Sequence, residues 1–201
     1  MDSVPSGDTR YLRDTVQRAV KIVVAGPFGV GKTTLVGALS EIKPLRTEET
    51  MTQAGAAVDD LAGIKDKTTT TVAMDFGRLT LNDDLVLFLF GAPGQARFQQ
   101  LWRDLTYGAL GALVLADTRR LDQSFDVIDR LEEAGLPYAV AVNNFPDAPV
   151  YDDERLRKAL DLLPDTPMVV CDARDRASAT GALITLVEHL LTLSRPGVPT
   201  P

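Results

Sequence analysis

The segment from Gly26 to Thr33 constrains this chain more than any other part of its sequence. It reads Gly-Pro-Phe-Gly-Val-Gly-Lys-Thr and satisfies the pattern G-x-x-x-x-G-K-[ST]. An apolar, β-branched run, Lys21–Ala25, precedes it, and a helical pattern, Lys32–Ser40, follows it. A strand, a glycine-rich turn and a helix N-terminus in this order hold phosphate with backbone N–H groups. We therefore predict an α/β domain of the P-loop NTPase class.

The rest of the chain alternates short Leu-rich or β-branched runs with helical patterns, which is typical of a parallel sheet covered by helices on both faces. The predicted strands are Lys21–Ala25, Thr71–Leu81, Leu85–Phe90, Gly111–Asp117, Tyr138–Asn143 and Met168–Cys171. The predicted helices are 32–40, 97–107, 124–134, 152–162 and 178–193. Only Asn82-Asp83-Asp84 separate the second and third strands, so these two form an antiparallel hairpin. We predict a six-stranded, mostly parallel sheet with one antiparallel strand.

The domain boundaries follow from the polar, proline-containing ends. They predict disordered tails at 1–17 and 194–201 and one folded domain over 18–193. Residues 41–70 are weakly patterned, and a connection of this length inside a compact domain is usually functional or mobile.

Composition excludes several classes of protein. The 201 residues include 28 acidic and 21 basic side chains, a formal charge of −7, whereas a nucleic-acid partner requires a clustered basic surface. The single cysteine, Cys171, excludes an internal disulfide. No apolar run approaches the roughly 20 residues that cross a bilayer. We expect a cytoplasmic protein that does not insert into a membrane directly.

The Gly26 motif assigns roles to its own residues. Lys32 reaches the β- and γ-phosphates, Thr33 binds Mg²⁺, and backbone N–H groups meet the phosphate oxygens. The residues expected to bind the nucleotide here are Gly26, Phe28, Gly29, Val30, Gly31, Lys32, Thr33 and Thr34. The expected ligand is a nucleoside triphosphate with magnesium.

Further segments near the ends of predicted strands carry a family resemblance. They are Thr71-Val-Ala-Met-Asp75-Phe76, Phe90-Gly91-Ala92-Pro93-Gly94-Gln95 and Asn143-Asn144-Phe145-Pro146-Asp147. With the Gly26 motif they resemble the Ras-like small GTPases. Within this class the chain resembles the gliding-motility GTPase MglA and, more closely, the GTP-binding proteins of the actinomycete conservon operons. The resemblance extends from about residue 20 to residue 193.

The resemblance implies roles in GTP hydrolysis. Thr71 matches the switch I threonine that caps Mg²⁺ and the γ-phosphate, with the neighbouring threonines 68–70 as alternatives. Gly94 matches the switch II glycine whose N–H meets the γ-phosphate, and Gln95 matches the glutamine that orients the attacking water. The expected catalytic residues are Gln95, Lys32 and Thr71, and the expected metal ligands are Thr33 and Thr71.

The resemblance also implies how the base is recognised. Asn143 and Asp147 would contact guanine, and the backbone N–H of Ala173 would meet guanine O6. The base motif departs from the Ras-like Asn-Lys-x-Asp, because Asn144 replaces the lysine and the acid comes one position late. An ordinary acid in a proline-rich turn therefore remains an alternative interpretation of Asp147.

The second departure from the Ras-like pattern concerns magnesium. Gly91 occupies the position of the aspartate in Asp-x-x-Gly, so one carboxylate near the metal is absent from this motif. MglA-type proteins also lack that aspartate and carry a proline before the glycine, as Pro93 does here.

These motifs predict a GTP-dependent switch with slow hydrolysis, whose moving parts are switch I, within 41–76, and switch II, 91–107. Alternatives are a nucleotide-binding scaffold without significant hydrolysis and a P-loop nucleotide kinase. Arg46 and Arg97 are candidates for an arginine that contributes charge to the transition state, and Arg119-Arg120 is interpreted as a solvated pair. The resemblance implies a roadblock-type regulator and a sensor-kinase-like membrane protein as partners, through which the chain would reach a membrane.

Overall fold

A computed structural model describes residues 18–52, 69–94 and 99–194. Its strands are β1 (Arg18–Ala25), β2 (Leu45–Thr52), β3 (Thr69–Thr80), β4 (Leu85–Gly91), β5 (Gly111–Ala116), β6 (Tyr138–Asn143) and β7 (Met168–Cys171). Its helices are α1 (Lys32–Leu39), α2 (Gln99–Thr106), α3 (Phe125–Glu133), α4 (Asp153–Ala159) and α5 (Arg176–Leu193). A 3-10 turn, Leu121–Ser124, leads into α3.

The described strands form one sheet in the order β2-β3-β4-β1-β5-β6-β7. The pairs β4–β1, β1–β5, β5–β6 and β6–β7 are parallel, whereas β3 is antiparallel to both β2 and β4. The mostly parallel sheet with one antiparallel strand and helices on both faces confirms the predicted P-loop NTPase fold.

The predicted number of strands needs a correction. All six predicted strands are present, and β2 is a seventh, inside the connection that the sequence left without a strand. Its sequence, Leu-Arg-Thr-Glu-Glu-Thr-Met-Thr, contains no apolar run. β2 is an edge strand joined to the sheet by main-chain pairing with β3, from Leu45 opposite Phe76 to Thr52 opposite Thr69. A polar edge strand lacks the hydrophobic pattern by which a central strand is predicted.

Two apolar clusters cover the two faces of the sheet, and β1 contributes to both. Ile22 and Val24 face one cluster with α1 and α5, while Val23 and Ala25 face the other with α2, α3 and α4. Because successive side chains of a strand point to opposite faces, a strand buried on both faces is apolar throughout. This burial explains the continuous apolar run before the glycine-rich turn.

The parallel strands end at one edge of the sheet, where the loops after β1, β4, β5, β6 and β7 therefore lie together. In open α/β sheets, ligands bind outside the carboxyl ends of the strands, where connections leave in opposite directions. Here the chain leaves β1 through α1 toward the β2–β3 side, and leaves β5 toward the β6–β7 side. The loop after β1 is the Gly26 motif.

Some predictions concern residues outside the described ranges. The expected tails fall there, apart from Ser194, as do 53–68 of switch I and 95–98 of switch II. Within the described part of the chain, no helix has both the length and the apolar character needed to span a membrane.

Candidate functional site

The glycine-rich turn after β1 has a backbone that requires glycine. Gly26, Gly29 and Gly31 all have positive φ angles, of 137°, 75° and 105°. A Cβ on Gly26 would lie 2.5 Å from the carbonyl oxygen of Leu115, and one on Gly31 would lie 2.7 Å from Nδ2 of Asn143. The turn is therefore held tightly against β5 and β6. Gly31 is the N-cap of α1, so the unpaired N–H groups of the first helical turn are at the sheet edge.

Lys32 lies across this turn. Its ammonium group donates hydrogen bonds of 2.7 Å to the carbonyl oxygens of both Gly26 and Pro27. Burial lowers the pKa of Lys32 to about 8, and the nearby carboxylate of Asp75 opposes this shift. A half-buried cation over a glycine-rich turn can bind the phosphate oxygens of a nucleotide.

Asp75, in the middle of β3, is the site residue that sequence reasoning missed. The hydroxyl of Thr33 donates a hydrogen bond of 2.5 Å to Oδ2 of Asp75, whose residue is only 8% exposed. Asp75 is the cross-strand partner of Gly91. A Cβ on Gly91 would lie 3.0 Å from Cβ and 3.2 Å from Oδ2 of Asp75. Because Gly91 has no side chain, it leaves room for the carboxylate of Asp75 from the neighbouring strand.

A signal for Asp75 was present in the sequence. It is an acidic residue between Met74 and Phe76 inside a predicted strand, and a charged residue at such a position is rarely buried unless it is paired. The pairing with Gly91, however, depends on strand register, which a linear motif does not contain.

The segment after β4 lies against the glycine-rich turn. A Cβ on Gly94 would lie 2.5 Å from the backbone nitrogen of Phe28 and 3.0 Å from Nζ of Lys32. Trp102 of α2 anchors this segment by donating from Nε1 to the carbonyl oxygen of Pro93, at 3.2 Å. The side chain of Phe28 is 70% exposed beside it. The structure thus brings Gly94 to Lys32, as the motif predicts.

Asn143, at the end of β6, joins three of the predicted motifs. Its Nδ2 donates to the carbonyl oxygen of Val30 at 2.9 Å, and its Oδ1 accepts from the backbone N–H of Ala173 at 3.0 Å. The residue is 5% exposed. The neighbouring backbone N–H of Asn144 donates to the carbonyl oxygen of Cys171. Asn143 thus connects the glycine-rich turn to the loops after β6 and β7. The N–H of Ala173, which is expected at guanine O6 from the family resemblance, donates to Asn143 in this structure.

Asp147 lies in the exposed turn that follows Asn143. Its φ of 62° is in the left-handed region, which aspartate tolerates better than most residues other than glycine. The N–H of Ala148 closes the turn on the carbonyl oxygen of Phe145 at 3.2 Å. The structure places Asp147 four residues beyond the buried anchor Asn143, where its carboxylate faces solvent.

The remaining predicted residues are located only in part. Thr71 is in β3, opposite Thr50 of β2, and Arg46 is in β2 opposite Asp75. Thr34 is exposed in the first turn of α1. Gln95 and Arg97 lie outside the described residues.

The interpretation of Arg119 and Arg120 as a solvated pair is incomplete, because their side chains are 40% and 41% exposed but both also pair with a buried acid. The guanidinium of Arg119 donates from Nε and Nη2 to the two carboxylate oxygens of Asp117, at 2.9 and 2.8 Å, and Nη2 of Arg120 lies 3.4 Å from the same carboxylate. Asp117 is fully buried at the end of β5. A buried carboxylate requires charged partners, and adjacent arginines in the sequence did not show which acid they would pair with.

A protein-family model matches this chain over residues 24–193, and the family is described as "conserved hypothetical ATP binding protein". The chain belongs to this family. The matched range begins in β1 and ends at the last residue of α5, so it covers every loop of the site described above. A search of the curated proteins gives no match.

Solved structures of FeoB domains have a fold similar to that of this chain. The G domain of the FeoB iron transporter of T. maritima matches with a TM-score of 0.58 and 22% identity, covering 86% of this chain and 99% of that domain. The cytosolic domain of FeoB matches in its apo form with a TM-score of 0.60 and 21% identity, covering 86% of this chain, and in its GMPPNP form with a TM-score of 0.61 and 21% identity, covering 90%.

The chain spans 64% of the FeoB cytosolic domain in the apo form and 67% in the GMPPNP form. At this identity the likeness establishes the fold alone, which this chain shares with the FeoB G domain. None of these three structures is a conservon or MglA protein, so the resemblance to those proteins stays a prediction.

Proposed function

We propose that the chain is a small GTP-binding protein that acts as a nucleotide-dependent switch and slowly hydrolyses GTP to GDP and phosphate. The observation that carries this proposal is the pair of hydrogen bonds made by Asn143 to Val30 and Ala173. These bonds hold the glycine-rich turn, which would bind the phosphates, beside the two loops that would contact the base. The FeoB cytosolic domain, which has the same fold, is described in GDP and GMPPNP forms.

The choice of guanine over adenine rests on Asp147. Guanine presents two donors on one edge, N1–H and the 2-amino group, and a carboxylate accepts from both. Adenine presents an acceptor at N1, which a carboxylate repels. The family description names ATP, so the base is the part of the proposal that most needs a direct test.

A titration with GDP, ADP and xanthosine diphosphate tests the base. We expect the wild type to prefer GDP, and Asp147→Asn to shift the preference toward xanthosine diphosphate, because xanthine carries an oxygen where guanine carries the 2-amino donor. Asp161→Asn is the matched control, since Asp161 is also an exposed aspartate with positive φ, at 51°. Equal affinities of the wild type for GDP and ADP would show that the guanine assignment is wrong.

The residues near the glycine-rich turn fit Mg²⁺, which the fold implies. Magnesium prefers oxygen ligands and is usually held by one or two protein groups together with substrate phosphates. Thr33 offers a hydroxyl, and Asp75 offers a carboxylate already bonded to that hydroxyl. Within the described residues no cluster of three or more His, Cys, Asp or Glu is formed. We propose that Thr33 holds the ion, that Asp75 orients Thr33, and that Thr71 is the second ligand that the family pattern predicts. Bound Mg²⁺ would offset negative charge on the phosphates.

In the proposed hydrolysis of GTP, different residues of this chain have different roles. Lys32 and the N–H groups at the start of α1 stabilise charge on the phosphates, and Gly94 lies against the turn where its N–H can meet the terminal phosphate. Gln95 would orient a water for in-line attack. Single-turnover hydrolysis with the wild type and Gln95→Leu tests this step. Phosphate release that is equal in the two proteins, or absent from the wild type even with a cell extract that supplies partners, would favour the scaffold alternative.

The partners in this proposal come from the family resemblance. They are a roadblock-type regulator and a sensor-kinase-like membrane protein, and any association with a membrane would occur through them. A switch binds its partner in one nucleotide state and not in the other. Co-purification of a tagged chain loaded with GDP or with a non-hydrolysable GTP analogue tests this expectation, and a nucleotide-independent partner list would contradict it.

A further inference from the structure

The loop after β5 holds an unusual cluster of charges. Asp117 is fully buried, and both Arg119 and Arg120 pair with its carboxylate. The hydrogen bonds from Arg119 hold the pKa of Asp117 below its ordinary value, although burial opposes this shift. Among the described residues, the cluster thus combines one carboxylate with two guanidinium groups and carries one surplus positive charge.

The two arginines of this cluster are held differently. Arg119 makes a two-point contact with Asp117, and its backbone N–H also donates to Oδ1 at 3.0 Å. Arg120 has a single, longer contact of 3.4 Å. Arg119 therefore neutralises the buried acid and fixes the loop, whereas the guanidinium of Arg120 retains donors for another acceptor.

The position of Arg120 connects it to the glycine-rich turn. Its Nη2 lies 3.7 Å from where a Cβ on Gly29 would be. Gly29 has a positive φ of 75° and is exposed at the middle of the turn. The side chain of Arg120 is 41% exposed. A partly exposed cation beside this turn is within reach of an anion that the turn binds.

Arg119 connects the same loop to the base motif. Its guanidinium carbon lies 3.9 Å from the centre of the Phe145 ring, a stacking distance for a cation on an aromatic face. Phe145 belongs to the loop that also carries Asn143 and Asp147. Asp117, Arg119 and Phe145 therefore connect the loop after β5 to the base motif, and Arg120 extends from the same loop to the glycine-rich turn.

We propose that Arg120 is a nucleotide-binding residue, which contacts the phosphate groups from the loop after β5 and slows the release of the bound nucleotide. Arg119 is the positioning residue that neutralises Asp117 and leaves Arg120 available. This inference rests on the proposed nucleotide binding but not on the choice of guanine. It adds Arg120 to Arg46 and Arg97 as an arginine of this chain to test at the phosphates.

Titration calorimetry with GDP, ADP and pyrophosphate tests the proposal on the full chain. Since hydrogen bonds to charged groups are the stronger ones and this side chain is partly screened by solvent, we expect Arg120→Ala to weaken binding about tenfold. Arg120→Lys keeps the positive charge and should therefore lose less binding affinity than Arg120→Ala. Lys158→Ala is the control, because it removes one positive charge from the last turn of α4, which runs back from the sheet edge. The difference between Arg120→Ala and wild type should shrink as salt is added.

The outcomes separate the two proposals. Weakened binding of ADP and pyrophosphate in Arg120→Ala would support the role of Arg120 even if GDP is not preferred. Equal affinities in Arg120→Ala and Lys158→Ala would overturn the role of Arg120 and leave the proposed function intact. A wild type that binds none of the three ligands would overturn both. Melting temperatures of all variants identify any loss of binding that is due to unfolding.

Discussion

The cross-strand pair of Asp75 and Gly91 leads to a prediction that can be worked out from the structure. If the carboxylate of Asp75 orients Thr33 toward Mg²⁺, removing it should weaken the magnesium-dependent retention of GDP. Partners that orient a metal ligand typically change metal affinity by about 10- to 100-fold when they are removed. A hydrogen bond to a charged group contributes about 1.5–3 kcal/mol, which corresponds to a similar range. We therefore expect a 10- to 100-fold loss in Asp75→Ala.

The assay is the release of a fluorescent GDP analogue into excess GDP, measured in saturating Mg²⁺ and in EDTA. The release rate in EDTA divided by the release rate in Mg²⁺ reports how strongly magnesium retains the nucleotide. We expect this ratio to fall in Asp75→Ala and to fall less in Asp75→Asn, which keeps an acceptor for the Thr33 hydroxyl but loses the charge. Asp165→Ala is the control, since Asp165 is exposed in the loop before β7, at the opposite end of the sheet.

Moving the carboxylate across the strand pair makes the test sharper. Gly91→Asp alone places a second acid directly opposite Asp75, with its Cβ 3.0 Å from Cβ and 3.2 Å from Oδ2 of Asp75, and like charges directly opposite in a sheet are destabilising. The double variant Asp75→Gly/Gly91→Asp exchanges the two side chains and should recover much of the lost magnesium dependence. Two results would refute the reasoning. One is a folded Asp75→Ala with the wild-type ratio, and the other is a double variant no better than Asp75→Gly.

Glycine, amide and thiol positions give three further predictions. Gly181→Ala in α5 meets no atom within 4 Å and should stabilise the chain by about 0.5–1 kcal/mol in urea unfolding, whereas Gly31→Ala should abolish nucleotide binding. Asn143→Ala leaves the carbonyl of Val30 and the N–H of Ala173 buried without this partner, and each should lower the free energy of unfolding by about 1–3 kcal/mol. Asn144→Ala, at an exposed position, should change stability little, and equal unfolding curves for the two variants would contradict this prediction. Burial raises the pKa of Cys171 to about 12, so a thiol reagent at pH 8 should modify it only in urea. Because the unfolded thiol ionises first, stability should fall as the pH rises from about 9 toward 12, and Cys171→Ala should remove that part of the pH dependence.

The central strands could be predicted because burial on both faces leaves a clear pattern. The predicted bounds of β6 (Tyr138–Asn143) and β7 (Met168–Cys171) are those of the structure. The glycine-rich turn was predictable for a related reason, since its positive φ angles require glycine at fixed spacing. In both cases the physical constraint acts on each residue separately, so it is visible in a single sequence.

β2 and Asp117 show what a single sequence does not reveal. β2 is stabilised by pairing its main chain with β3, and its polar residues give no periodic apolar signal. Asp117 was included at the end of a predicted strand, but nothing along the chain indicated that it is fully buried or that Arg119 neutralises it. These features depend on which segments become neighbours after folding.

The candidate site explains how an acidic chain can bind a polyphosphate. The net charge of −7 opposes an anionic ligand at long range, but solvent and salt screen that effect within about 10 Å. Two buried acids at the sheet edge have local partners, because Asp75 accepts from Thr33 and Asp117 is neutralised by Arg119. Among the described residues, positive groups beside the glycine-rich turn are Lys32, Arg120 and the N–H groups at the start of α1. Binding should therefore respond strongly to single changes among these groups and weakly to changes of charge elsewhere on the surface, which is the contrast that Arg120→Ala and Lys158→Ala measure.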